Sequence, residues 1–75
     1  MLVGYVSDER YIALSDVLVE LETDSGTVGT RSRASGAVYA DIAPGPCRVT
    51  LAKDRFGSKI VEMEAKEGAP YHFRL

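Results

Sequence analysis

Tryptophan, asparagine and glutamine are missing from this chain, and cysteine and histidine occur once each, as Cys47 and His72. Without Asn, no internal Lys–Asn isopeptide bond can form. A Lys–Asp version needs both partners buried, and the residue alternation offers no strong candidate pair. A single cysteine excludes the internal disulfides on which small secreted domains commonly depend. One His and one Cys far apart in sequence cannot supply a structural zinc site, which takes about four ligands. Long apolar runs are also missing, and nothing approaches the roughly 18 consecutive apolar residues of a membrane span. The opening Met1-Leu2-Val3-Gly4-Tyr5-Val6 lacks the basic region and apolar core of a secretory signal. With Met1 as a native start, these features lead to the expectation of a cytoplasmic protein. Positive charge is not in excess, with 9 Lys and Arg against 11 Asp and Glu for a net charge of -2. That balance argues against general nucleic-acid binding, so neither nucleic acid nor membrane is expected as a partner. The glycines are dispersed, with no phosphate-cradling loop leading into a helix. No window keeps a helical period, and no repeat, low-complexity tract or internal linker is visible.

What is present is an alternating pattern cut by turn residues. The 75 residues make one domain, 1–75, of a size that folds alone while burying a modest share of its surface. The run from Arg33 to Leu51 reads as two tight hairpins sharing a strand, with Gly36 in one turn and Pro44-Gly45 in the other. Strands are predicted over Leu2–Ser7, Val17–Glu22, Thr27–Arg33, Ala37–Ile42, Cys47–Ala52, Ser58–Ala65 and Tyr71–Leu75. A loop over Asp8–Asp16 contains neither Gly nor Pro. In the hairpin register Arg31 faces Tyr39, Val28 faces Ile42, Asp41 faces Arg48 and Val38 faces Leu51. One face then carries Val28, Val38, Ala40, Ile42, Cys47, Val49 and Leu51, with Thr30 and Ser32 at its margin. The other carries Arg31, Tyr39, Asp41, Arg48 and Thr50, and a slip of one residue would bury Asp41 and Arg48. The expected core is Val19, Leu21, Val38, Ile42, Val49, Leu51 and Phe73.

Charge is divided along the chain. Asp8, Glu9, Asp16, Glu20, Glu22 and Asp24 make the first third acidic, whereas Arg31, Arg33, Arg48, Lys53, Arg55 and Lys59 make the middle basic. Such blocks usually meet across strands and neutralise one another.

Gly4-Tyr5-Val6-Ser7-Asp8, Ala13-Leu14-Ser15-Asp16-Val17-Leu18-Val19, Gly36-Ala37-Val38 and Ile42-Ala43-Pro44-Gly45-Pro46-Cys47-Arg48-Val49 together resemble the carboxypeptidase regulatory-like domains. The resemblance covers most of the chain and rests on the Gly-x-aromatic hairpin and the Pro-Pro-Gly-x-Tyr turn. The chain departs from it at Val38 and Cys47, where aromatics are common, and at Ala43, where Pro is frequent. The resemblance implies an all-β, seven-stranded, two-sheet Greek-key sandwich of the transthyretin (prealbumin) kind, used as an accessory module without catalytic residues. The opening segment also resembles the N-terminus of bacterial proteins related to the large subunit of dimethylformamidase. That likeness implies an accessory domain of a formamidase-type hydrolase whose catalytic part lies outside this chain.

Candidate chemistry is sparse. Asp8, Glu9 and Asp16 bracket one loop and could offer oxygen ligands to a hard cation, but the EF-hand spacing is absent and loop carboxylates are commonly just solvated. Cys47 precedes Arg48, yet alternation sets it beside Val49 and Leu51, where a free cysteine acts as a small apolar filler. Ser35 lies outside any Gly-x-Ser-x-Gly frame. His72, between Tyr71 and Phe73, points to the opposite side of its strand, into solvent. The outward group Arg31, Arg33 and Tyr39 is the candidate interaction patch, since Tyr and Arg are enriched at binding hot spots; an ordinary cross-strand pair on a solvated sheet reads the same way. No catalytic, cofactor-binding or metal residue is expected.

The reading is therefore a non-catalytic accessory or protein-interaction module, expected to be the N-terminal domain of a larger protein. Its partners are the rest of that polypeptide or another protein, with the terminal strands at sandwich edges and homo-oligomers formed through those edges. A free-standing small-ligand or carbohydrate-binding domain is the alternative. A concave groove at Tyr39 or Tyr11 would favour it.

Overall fold

The computed structural model describes residues 1–68 and 70–75. Seven strands follow one another: β1 (Leu2–Ser7), β2 (Leu18–Thr23), β3 (Gly26–Arg31), β4 (Ala37–Ala40), β5 (Gly45–Lys53), β6 (Gly57–Ala65) and β7 (Tyr71–Arg74). They form a three-stranded sheet in the order β4-β1-β7 and a four-stranded sheet in the order β3-β2-β5-β6. Neighbours are antiparallel except β1 and β7, which run parallel with Tyr5 opposite His72 and Ser7 opposite Arg74.

Strand alternation builds the core. Leu2 and Val6 of β1, Val19 and Leu21 of β2, Val38 of β4, and Val49 and Leu51 of β5 are almost wholly buried between the sheets. Burying each such side chain stabilises the fold by about 1.5–3 kcal/mol. All seven residues expected in the core are buried: Val19, Leu21, Val38, Ile42, Val49, Leu51 and Phe73. Gly4 makes room within this layer, because a Cβ there would lie 2.8 Å from the Phe73 ring.

Neither expected hairpin continues as a paired ladder. β4 pairs with β1, with Ala40 opposite Leu2 and Ala37 opposite Tyr5, whereas β5 lies between β2 and β6. The chain leaves the larger sheet at Ser32 and crosses to the smaller one. Its buried hydroxyl fixes that exit, accepting the Val17 N–H at 2.8 Å and donating to the Leu14 carbonyl at 2.7 Å. Gly36 then passes close to β1 with a φ of +82°, and its carbonyl accepts the Val6 N–H at 2.8 Å. A Cβ at Gly36 would lie 2.7 Å from the Val6 carbonyl oxygen. The expected tight turn over Ala34-Ser35-Gly36 does close, with Gly36 N–H donating to the Arg33 carbonyl at 2.8 Å and Arg33 N–H to the Ala37 carbonyl at 2.9 Å, but the strands beyond it part into different sheets.

Other expectations change with the pairing. Arg48 does not face Asp41; it stands opposite Glu22 on β2 and Glu62 on β6, and its Nη2 donates to Glu62 Oε1 at 3.0 Å. Two carboxylates beside one guanidinium make a better electrostatic setting than the single Asp41 of the hairpin register. Arg31 stands opposite Leu18, and Tyr39 opposite Val3, so these two residues belong to different sheets. Val28 faces inward yet stays 36% exposed, because β3 is an outer strand with no strand hydrogen-bonded to its far side. The first strand is the middle of its sheet, and only β7 of the terminal strands is an edge.

Candidate interaction face

The outer face of the three-stranded sheet gathers most of the exposed aromatic surface. On β1, Leu2, Gly4 and Val6 turn inward, which turns Val3 and Tyr5 outward. Tyr39 projects from β4 beside Val3, and His72 projects from β7 beside Tyr5. Tyr5 and Tyr39 are 46% and 43% exposed.

The loop after β1 adds a third tyrosine. Asp8 Oδ1 accepts the backbone N–H groups of Arg10 at 2.8 Å and Ile12 at 3.0 Å, closing the loop without Gly or Pro. Ala13 forms a bridge to Ser7 that folds the loop back on β1. Tyr11, with a φ of +64°, lies against His72 with ring centroids 5.3 Å apart. The Arg74 guanidinium carbon sits 4.8 Å from the Tyr11 ring centroid, and Arg74 Nη2 donates to the Glu9 carbonyl at 3.1 Å. At the far end, the Arg33 guanidinium carbon sits 4.9 Å from the Tyr39 ring centroid. Each such cation–π contact at an exposed site contributes about 0.5–1 kcal/mol.

The expected patch is therefore divided. Arg33 and Tyr39 meet, whereas Arg31 lies on the other sheet and pairs with Asp16 at 3.3 Å. Tyr5 and Arg74 were outside the expected patch. Alternation of Leu2, Gly4 and Val6 could have flagged Tyr5, but nothing local signals the parallel pairing that sets His72 and Arg74 beside β1.

Ser7 Oγ and His72 Nε2 are 2.6 Å apart, within reach for a nucleophile and base. Ser7 is buried under the loop, however, and among the described residues no third side chain hydrogen-bonds the imidazole. The pair instead ties β7 and the Tyr11 loop to β1. Cys47 is buried in the core, and that burial pushes its thiol pKa up, which disfavours the reactive thiolate. Asp8 and Asp16 are turned to local partners, the Arg10 and Ile12 N–H groups and Arg31. No group of three or more potential metal ligands is gathered among the described residues.

The opposite outer face has another character. Glu20 and Glu22 project from β2, and Glu62 and Glu64 from β6. Arg48 stands between them, its guanidinium held protonated by the Glu62 hydrogen bond and then by the charges of Glu62 and Glu22. Of the hollows of about 360–510 Å³, two lie along the four-stranded sheet and two flank the Tyr11 loop, at Arg74 with Phe56 and at Asp8–Arg10 with Ile12. A smaller one of about 200 Å³ is bounded by Val3, Tyr5, Gly68 and Pro70. No described helix is long and apolar enough to cross a membrane.

No protein-family model matches this chain, and a search of the curated proteins returns no match.

Proposed function

We propose that this domain is a non-catalytic interaction module that holds an acidic protein surface against the outer face of its three-stranded sheet. The observation that carries the reading is the grouping of exposed Tyr5, Tyr11 and Tyr39 with His72, flanked by Arg33 and Arg74. Tyrosine supplies broad contact area at low entropic cost, and arginine supplies bidentate recognition of carboxylates. The remaining polar pairs of this region hold the aromatic groups in place and are not arranged around a reacting atom. The hollow that reaches this face, at Val3 and Tyr5, is only about 200 Å³, below the roughly 300–1,000 Å³ usual for small-ligand pockets, which favours a protein surface as the partner.

The same reading extends to the fold family. Seven strands in two sheets, joined by a link that crosses between them, support a Greek-key, transthyretin-like sandwich of the carboxypeptidase regulatory-like kind.

Labelled polyglutamate in low salt, followed by fluorescence anisotropy, tests the proposal. The Tyr5→Ala/Tyr39→Ala double variant and the Arg33→Glu variant should each bind about tenfold more weakly or worse. The Glu20→Ala/Glu62→Ala variant should bind no more weakly than the unaltered domain. Unchanged affinity in both face variants would defeat the reading.

A further inference from the structure

The two edges of the four-stranded sheet are guarded unequally. β6 carries Lys59, Glu62 and Glu64, and Lys59 Nζ also donates to the Arg74 carbonyl at 3.1 Å, linking this edge to β7. Charged side chains of this kind discourage edge-to-edge pairing. β3 is guarded less: Gly26-Thr27-Val28-Gly29-Thr30 contains neither proline nor charge, all but Thr30 are exposed, and the strand's one charge is Arg31 at its end.

The backbone of β3 is prepared to pair. Thr23 and Gly26 close a two-residue hairpin loop, so they form a hydrogen-bonded pair and the pattern alternates from there. The N–H and C=O groups of Gly26, Val28 and Thr30 point to β2, and those of Thr27, Gly29 and Arg31 point away from it. The Ser32 N–H donating to the Val17 carbonyl at 3.0 Å follows the same alternation. A row of backbone donors and acceptors is thus left open along a strand whose one charge, Arg31, stands at its end.

We propose that β3 pairs antiparallel with β3 of a second copy of this chain, about a two-fold axis at Gly29. In that register Gly29 meets Gly29, Val28 meets Thr30, and Thr27 meets Arg31. The inward-facing Val28, 36% exposed in one copy, is then covered by the Thr30 of the other. On the outer face, the second copy's Arg31 stands beside Thr27, one strand from Glu22. Glu22, Arg48 and Glu62 lie in one row, two carboxylates to one guanidinium, so an added cation there is matched by charge. A Cβ at Gly29 would meet nothing within 4 Å, so this position is open to an approaching strand. The contact is self-complementary and uses up the open edge of both copies, which closes the assembly at a dimer.

Sedimentation equilibrium from about 5 to about 500 μM tests this, since a short strand-pairing contact is expected to bind in the micromolar range. Gly29→Pro removes an N–H that β2 does not use, which an edge strand tolerates. It should weaken the dimer about tenfold or more, about 1.4 kcal/mol. Val28→Lys, placing an inward charge at the edge, should do the same, and circular dichroism checks that each variant stays folded. Arg31→Glu should also weaken the dimer, and combining it with Glu22→Arg should restore it. A domain monomeric throughout the range overturns the proposal, including one that takes up another protein's extended segment at β3. So does a dimer unaffected by both Gly29→Pro and Val28→Lys, or assembly that continues past two copies.

Discussion

The outer faces of the two sheets are made by the same alternation, yet they carry opposite chemistry. On the four-stranded sheet the outward positions hold Glu20, Glu22, Glu62 and Glu64 around Arg48, a mainly acidic surface in which Ile60, 64% exposed, is the large apolar exception. On the three-stranded sheet they hold Tyr5, Tyr39 and His72, with Tyr11 laid beside them and Arg33 and Arg74 at the ends. The smaller sheet depends on a loop, a crossover and a parallel strand, and each of these brings an aromatic or cationic side chain to the same face. The difference teaches that alternation alone does not set the chemistry of an outer face: non-local elements do, and Tyr11 reaches this one from a loop at a positive φ of +64°.

The largest effect should come from removing what both faces rest on. Leu51 is fully buried between the sheets, so Leu51→Ala should destabilise the domain by about 2–5 kcal/mol in urea unfolding. Both faces should then lose structure in one transition. A smaller sheet that melts alone would show that the two faces are less coupled than the shared core implies.

A pair of glycines sharpens the contrast. Gly36→Ala meets both the positive φ of +82° and the Val6 carbonyl oxygen, and should cost about 1–3 kcal/mol, with hydrogen exchange rising first in β1 and β4. Gly29→Ala on the larger sheet meets open space and should shift stability by no more than about 0.5 kcal/mol. Equal costs would mean that the crossover is not the constraint it is taken to be.

The smallest effect concerns the core thiol. Burial raises the folded-state pKa of Cys47, so its contribution to stability is fully present below the unfolded thiol pKa of about 8.5. The contribution is lost as pH rises through the folded value. Unfolding midpoints should therefore fall more steeply on the alkaline side in the unaltered domain than in Cys47→Ala. Native Cys47 should also react slowly with thiol reagents, and at an ordinary rate after denaturation. Fast native labelling would contradict its role as an apolar filler.

What could be read from the residues was the facing of side chains, and what could not was the pairing of strands. Val38, Ala40, Ile42, Cys47, Val49 and Leu51 are buried as alternation requires. Both sheets look into one core, however, so a strand satisfies its alternation in either sheet. That is why Asp41 and Arg48 sorted correctly to the outside while their pairing with each other failed. The Ser32 hydroxyl and the Gly36 approach to β1 decide the crossover through contacts distant in sequence. Of the interaction face, Arg33 and Tyr39 were legible, as local outward residues. Arg31 was misplaced because its pairing with Tyr39 came from the hairpin register. Arg74 joined the face only through parallel β1–β7 pairing.

The central claim is that the three-stranded sheet presents the working surface. Titrating isotope-labelled domain with polyglutamate in low salt, with residue-resolved NMR, tests it most directly. Saturable shifts should fall on Tyr5, Tyr11, Tyr39 and His72 and the Arg33 and Arg74 side chains, while Glu20, Glu22, Glu62 and Glu64 stay unmoved. Shifts centred on the four-stranded sheet, or no saturable shifts at all, would contradict the account.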